Sequence, residues 1–306
     1  MKVIFKRTLE ETLRIISVLL MIVAGAAAGV ILGINTQYNG LPNAFEYYQN
    51  TCLIRQHVAV FFLVNGAALM VIVSNIGSGL IANEVHEGTM RILAAKPNSR
   101  ITILAGKVLG MLTGSILLMG LSLAVMFGCE IAFGYFDGNI ANGLLSYLPA
   151  YLMYGGMVIL VFSSIAVLLS TVMKRKILAV LPMLLLIIMT LGLPIILRVT
   201  GMISGKQAFS LPAPVDFNYH FGLMFRWCCD RFGGINGTSN QLDIVAILMN
   251  IMHSEVIDGD LTRSMEQITI MKANNALSAS VVTAVYMIIS LLAYAGSFLI
   301  IRKKNV

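Results

Sequence analysis

Six runs of apolar residues, each about 20 residues long or longer, decide what this chain can fold into. A helix of that length crosses the roughly 30 Å of hydrocarbon in a bilayer, and in lipid a single segment must satisfy its own backbone hydrogen bonds, so an isolated apolar run spans as a helix. The runs fall at about Ile15–Ile34, Val58–Ala82, Val108–Phe127, Tyr147–Met173, Ile177–Leu197 and Ala276–Ile301. No soluble core of 306 residues would absorb a composition that is 58% hydrophobic. The expectation is an all-α integral membrane protein of six transmembrane helices. Without an internal repeat or a low-complexity linker, residues 1–306 read as a single membrane domain.

The flanks of the runs carry further information. Residues 1–14 place Ile4, Phe5, Leu9 and Leu13 at helical spacing with charges opposite, which predicts a helix lying in the membrane interface. The first run follows this mixed-charge start and reads as a retained span rather than a cleaved signal peptide. Its AGAAAG centre lets another helix approach closely. A loop is expected over 35–57, and a short one containing Glu130 and Asp137 after the third run. The second run carries Asn65, Ser74, Asn75 and Ser78, and the fifth carries Thr190 between Pro182 and Pro194. Such groups face other helices or a cavity. Asn65, Asn75 and Thr190 are therefore candidates for lining a path, with plain helix-to-helix hydrogen bonding as the alternative.

Charge sorts the two faces. Fourteen of the 21 Lys and Arg, but four of the 14 acids, fall at the N-terminus, in 83–107, in the Lys174–Lys176 turn and at the C-terminal end. Basic residues beside short spans mark the cytoplasmic side, so a cell-membrane protein with both termini cytoplasmic is expected. The net charge of +7 is thus a topology signal, and nucleic-acid binding is rejected for want of a basic and aromatic patch elsewhere.

Residues 198–275 form the one large piece outside the runs. Leu242, Val245, Leu248, Met249 and Met252 recur at helical spacing and predict a helix over 240–257, making this outer segment partly helical. The aromatic stretch PVDFNYHFGLMFRWCCDRF upstream suits interfacial or re-entrant structure. Cys52, Cys129, Cys228 and Cys229 lack metal-ligand spacing, and their pairing is open. His220 and His253 read as ordinary polar residues, and no metal site is expected.

Between the second and third runs lies NEVHEGTMRILAAKPNSR, Asn83–Arg100, the densest charge in a chain that is 11% charged. Glu84 and Glu87 lie early and Lys96 late, Glu87 can pair with Arg91 at i, i+4, and Pro97 ends the pattern. This predicts a short helix over 84–95 strung between two spans, a piece through which another protein can move both.

Extended to NEVHEGTMRILAAKPNSRITILAGK, the segment resembles the coupling-helix region of type-2 ABC exporter permeases. Members of that family show Glu, then Gly-Thr, leucines, Pro, one intervening residue, Ser-Arg and a Lys in the next span. Glu84, Glu87, Gly88, Thr89, Leu93, Pro97, Ser99, Arg100 and Lys107 match this order. The resemblance implies a transmembrane permease subunit, with an interfacial helix at 1–14, a cytoplasmic coupling region at 83–100 and an extracytoplasmic segment at 198–275. It implies that Glu84, Glu87, Gly88 and Thr89 dock an ABC ATPase subunit, helix spacing adding Arg91, while Arg100 and Lys107 anchor the third span at the membrane surface. No GxxxxGK[ST] phosphate loop occurs, so the chain is expected not to be an enzyme and to bind no cofactor, with ATP and Mg held by the partner ATPase. The other expected partners are a second permease subunit, the same or different, and membrane lipid. The implied function is export of an amphipathic or apolar cargo (peptide, drug or lipid-like); the alternative is a sensory or regulatory membrane protein that couples an ATPase to its outer loop without moving cargo.

Overall fold

The computed structural model describes residues 1–34, 45–88, 100–134, 138–203, 211–235, 248–257 and 268–303. Helix α1 (Lys2–Thr12) precedes α2 (Ile15–Ile34), the first span. The second span, Gln49–His86, joins α3 (Phe45–Ala59), a π-helical stretch Val60–Ala68, α4 (Leu69–Gly79) and α5 (Ala82–His86). The third is α6 (Arg100–Phe133), and the fourth, Ile140–Val172, combines α7 (Gly138–Leu145) with α8 (Leu148–Val172). The fifth, Lys176–Thr200, comprises α9 (Lys176–Ile187), a second π stretch Ile188–Gly192 and most of α10 (Leu193–Ile203). Beyond it come α11 (Phe217–Cys229), strands β1 (Met252–Ile257) and β2 (Ile268–Ala273), and the sixth span α12 (Ala279–Lys303). The chain is a multi-pass helical membrane protein whose even number of crossings places both termini at one end.

Small residues set the closest helix contact. A Cβ on Gly25 would strike the Ser122 carbonyl oxygen, one on Gly29 the Met126 carbonyl oxygen, and one on Gly33 would lie 2.8 Å from the Phe133 Cβ. Spans 1 and 3 thus meet backbone to backbone along the small-residue face, as expected of AGAAAG. Ser122 adds a hydrogen bond from its Oγ to the Met21 carbonyl, 2.8 Å. Helix α1 lies along the first half of span 3, burying Thr8 and Thr12 while Lys6–Glu10 and Arg7–Glu11 pair on its exposed side.

Several elements run past their expected limits. Span 2 starts well before Val58 and span 3 continues to Phe133, so Gln56, His57 and Glu130, expected in loops, are buried helical residues at 0–1% exposure. The aromatic stretch is an ordinary α-helix, α11, buried along its length against spans 4 and 6 and the π stretch of span 5. Its start is capped by the Asp216 carboxylate, which accepts from the Tyr219 N–H at 3.1 Å. Buried Arg198, at the end of span 5, pairs with that same carboxylate and donates to Asn218 Oδ1 at 2.7 Å. The capping thereby ties α11 to the bundle.

The helix expected over 240–257 gives way within the described residues. Asn250 takes φ +55°, a left-handed conformation that Asn tolerates, and the chain leaves its helical turn for β1. Strands β1 and β2 pair antiparallel, Met252 opposite Ala273 and Ile257 opposite Ile268. Residues 240–247 lie outside the described residues. Cys52, Cys228 and Cys229 are buried free thiols, and Cys129 is a half-buried one. Burial pushes the Cys228 thiol up to about 12, so it stays protonated.

Candidate functional site

The segment between spans 2 and 3 is held from two sides. Ser170 Oγ of span 4 accepts from the backbone N–H groups of Ile81 and Ala82, at 2.9 and 3.0 Å, where the chain breaks between α4 and α5. Helix ends leave such donors unpaired, and this one hydroxyl answers two. Lys107 Nζ of span 3 lies 2.5 Å from Glu84 Oε1 and donates to the Leu80 carbonyl at 2.8 Å. Lys107 is 7% exposed and therefore does not snorkel outward: it binds the start of the segment to span 3. Arg100 stands at the first position of α6, where a surface anchor was expected.

Of the helix expected over 84–95, only the start lies within the described residues. Helix α5 stops at His86, Glu87 caps it, and Gly88 turns the chain with φ +72° and open space around its Cα. Only glycine adopts that conformation without steric cost, so a turn falls at the Gly of the motif's Gly-Thr. Glu87 and Gly88 are exposed, whereas Glu84 faces inward to Lys107. Thr89 and Arg91 lie outside the described residues.

The three polar residues singled out within the spans do not share one surface. Asn65 is fully buried in the π stretch and donates from Nδ2 to the Tyr151 carbonyl at 2.9 Å. Its Oδ1 has no hydrogen-bond partner among the described residues. Thr190, in the second π stretch, bonds back to the Leu186 carbonyl at 2.8 Å. Asn75 is exposed and borders a cavity of about 440 Å³ at the termini end, alongside Glu84, Glu87 and Lys107.

A polar chain that the sequence pattern concealed crosses the far end of the bundle. Tyr151 donates its hydroxyl proton to Gln56 Oε1 at 2.9 Å, and Gln56 Nε2 donates to Glu130 Oε2 at 2.9 Å. With that proton committed, the 2.7 Å contact between His57 Nδ1 and the Tyr151 oxygen requires His57 to donate. The chain runs one way, from His57 to Glu130, and joins spans 2, 3 and 4. Its loose ends, His57 Nε2 and Glu130 Oε1, have no partner among the described residues. A buried acid at a span end is the signal that sequence offers for such a network.

Among the described residues no cluster of His, Cys, Asp and Glu has the geometry to hold a metal ion. No curated protein matches the chain. Residues 12–297 match the family described as ABC-2 family transporter protein, nearly the whole sequence. With six apolar crossings and a charged segment braced between the second and third, the chain belongs to the ABC-2 family of membrane transporters, as a permease subunit.

Proposed function

We propose that this permease is the membrane half of an ATP-driven exporter, moved by a separate ABC ATPase that docks on the segment between spans 2 and 3. The observation that carries the reading is the bracing of that segment: Ser170 holds it to span 4 and Lys107 to span 3, while α4 leads into it from span 2. Force applied at Glu87 and Gly88 would reach three spans at once. In this reading Glu87, Gly88, Thr89 and Arg91 meet the ATPase, Glu84 serves as the strut that transmits its push, and Arg100 with Lys107 holds the start of span 3. Residues 1–306 act as one permease domain with both termini cytoplasmic, and 198–275 face outward.

ATP and Mg bind the partner, and this chain holds neither. A second permease subunit completes the pathway, since six spans make half of one in the type-2 exporters that the sequence resembles. ATP-driven closure of the ATPases would favour one arrangement of the spans by the difference in binding energy between the two states. Few charges lie within the spans, which suits an amphipathic or apolar cargo such as a peptide, drug or lipid.

The test is co-expression with the cognate ATPase. Glu87→Lys and Gly88→Trp should each lower copurification of the ATPase, or coupled ATP turnover, while membrane insertion persists. Unchanged copurification and turnover in both variants would sink the docking assignment.

A further inference from the structure

We propose that the cavity at the termini end, between spans 1, 2, 3 and 5, binds the phosphate headgroup of an anionic lipid through Arg14 and Lys176. The cavity measures about 440 Å³, room for a headgroup rather than a whole lipid. Its walls come from places where the chain enters or leaves the bilayer: Ile16 and Ser17 open span 1, Asn83 lies near the end of span 2, Lys107 lies near the start of span 3 and Lys176 opens span 5. Span ends lie at headgroup depth, so the cavity does as well.

The charges around it are unevenly matched. Arg7 pairs with Glu11 on α1, and Lys107 pairs with Glu84. Arg14 and Lys176 both line the cavity, close enough for their charges to act on one another, and neither makes an ion pair or side-chain hydrogen bond among the described residues. Glu87 is the remaining acid, exposed at the rim. Two cations held near one another repel, and a shared anion relieves that repulsion while satisfying donors on both. Arg14 immediately precedes α2 and Lys176 opens α9, so the N-terminal dipole of each helix adds positive potential beside its cation.

Acyl chains have somewhere to go. Next to the cavity, span 1 exposes Ile15, Ile16 and Leu19, and span 5 exposes Ile177, Leu181 and Leu185. A lipid whose phosphate bridges Arg14 and Lys176 would lay its tails along these faces. Basic pockets between transmembrane helices recognise anionic headgroups in this way. The site asks nothing of the ATPase and stands or falls independently of the docking assignment.

The purified full-length chain in detergent tests this by native mass spectrometry with three probes: dioleoyl phosphatidylglycerol, dioleoyl phosphatidylcholine and soluble glycerol phosphate. Phosphatidylglycerol should be retained about thirtyfold more than phosphatidylcholine, as expected where two cations at headgroup depth act on a net anionic lipid. The wild-type comparison needs no variant, and equal retention of the two lipids overturns the proposal. Arg14→Gln with Lys176→Gln should abolish the preference. Lys174→Gln with Arg175→Gln removes the same charge from residues that do not line the cavity and should keep it. Equal loss in both pairs would mean a diffuse basic surface and overturn the site. Binding of glycerol phosphate as strong as that of the lipid would overturn the lipid assignment in favour of a soluble anion.

Discussion

Glu84 and Lys107 meet at 2.5 Å across the gap between the second and third spans, with side chains 12% and 9% exposed. Neither charge is well solvated, which strengthens their attraction. Lys107→Met should remove this close countercharge from the carboxylate and deprive the Leu80 carbonyl of its donor, costing roughly 3 kcal/mol. Adding Glu84→Gln should recover part of that loss, a coupling that a double-mutant cycle on detergent-solubilised protein would read. Additive losses would show that the two charges act separately.

Spans 1 and 3 touch where Gly29 faces the Met126 carbonyl. Gly29→Val should force them apart and cost about 2 kcal/mol by overpacking, seen as a lower midpoint in thermal unfolding followed by size exclusion. Gly128→Ala on span 3, where an added Cβ meets nothing within 4 Å, is the control and should leave the midpoint unchanged. If the two variants melt together, the close approach is not what holds these spans.

The polar chain across spans 2, 3 and 4 gives a sharper expectation because its direction is fixed. Tyr151→Phe removes the acceptor for His57 and the donor for Gln56 while keeping the ring that stacks on Phe225. Two buried polar atoms are orphaned together, and the loss should be roughly 1–3 kcal/mol. Tyr147→Phe, which removes one bond to the Gly234 carbonyl at the partly buried rim, should cost less. Urea or mild SDS titration of both variants ranks them, and the reverse order would mean that the network does not contribute as a unit.

His220 supplies a pH dependence. Its Nε2 donates to the Ala213 carbonyl at 2.8 Å, leaving Nδ1 to accept from the Tyr286 hydroxyl at 3.0 Å, so the imidazole is held neutral. Burial pulls its pKa below the ordinary value, outweighing the Ala213 bond and the Asp216 charge, which act the other way. A folded-state pKa below the unfolded one means that the unfolded chain takes up the proton first. The stabilisation is present above about pH 6.5 and declines as pH falls from there toward the folded value. Thermal midpoints between about pH 5 and 7.5 should slope downward on the acid side, and His220→Gln should flatten that slope. An identical slope in the variant would assign the effect to other groups.

How much of this was legible beforehand differs from element to element. The spans were visible because their length and apolarity answer to the bilayer alone, and the small-residue face of span 1 because close packing in lipid has few other solutions. Gln56, His57 and Glu130 escaped because polar residues at a run's edge read as loop, whereas here each finds a partner on another span. The direction of Lys107 was hidden for a similar reason: a lysine near a span end usually reaches for water, and only the fold brings Glu84 and the Leu80 carbonyl within its reach. Asn250 ended a helical pattern by a backbone conformation that periodicity does not encode. The Gly88 turn was written in the sequence as a glycine, yet the strong helix formers around it outweighed it.

The wide-turn stretches at Val60–Ala68 and Ile188–Gly192 pack against one another midway along spans 2 and 5. Each widened turn takes in a residue that a regular helix would place in the next turn, and one residue is worth about 100° of rotation. A single helical wheel drawn through either span is therefore out of phase by its far end. These two spans are aimed in halves, each half presenting a face chosen independently of the other. Adding or deleting one residue at the junction would re-aim one half while the remainder of the bundle stayed in place.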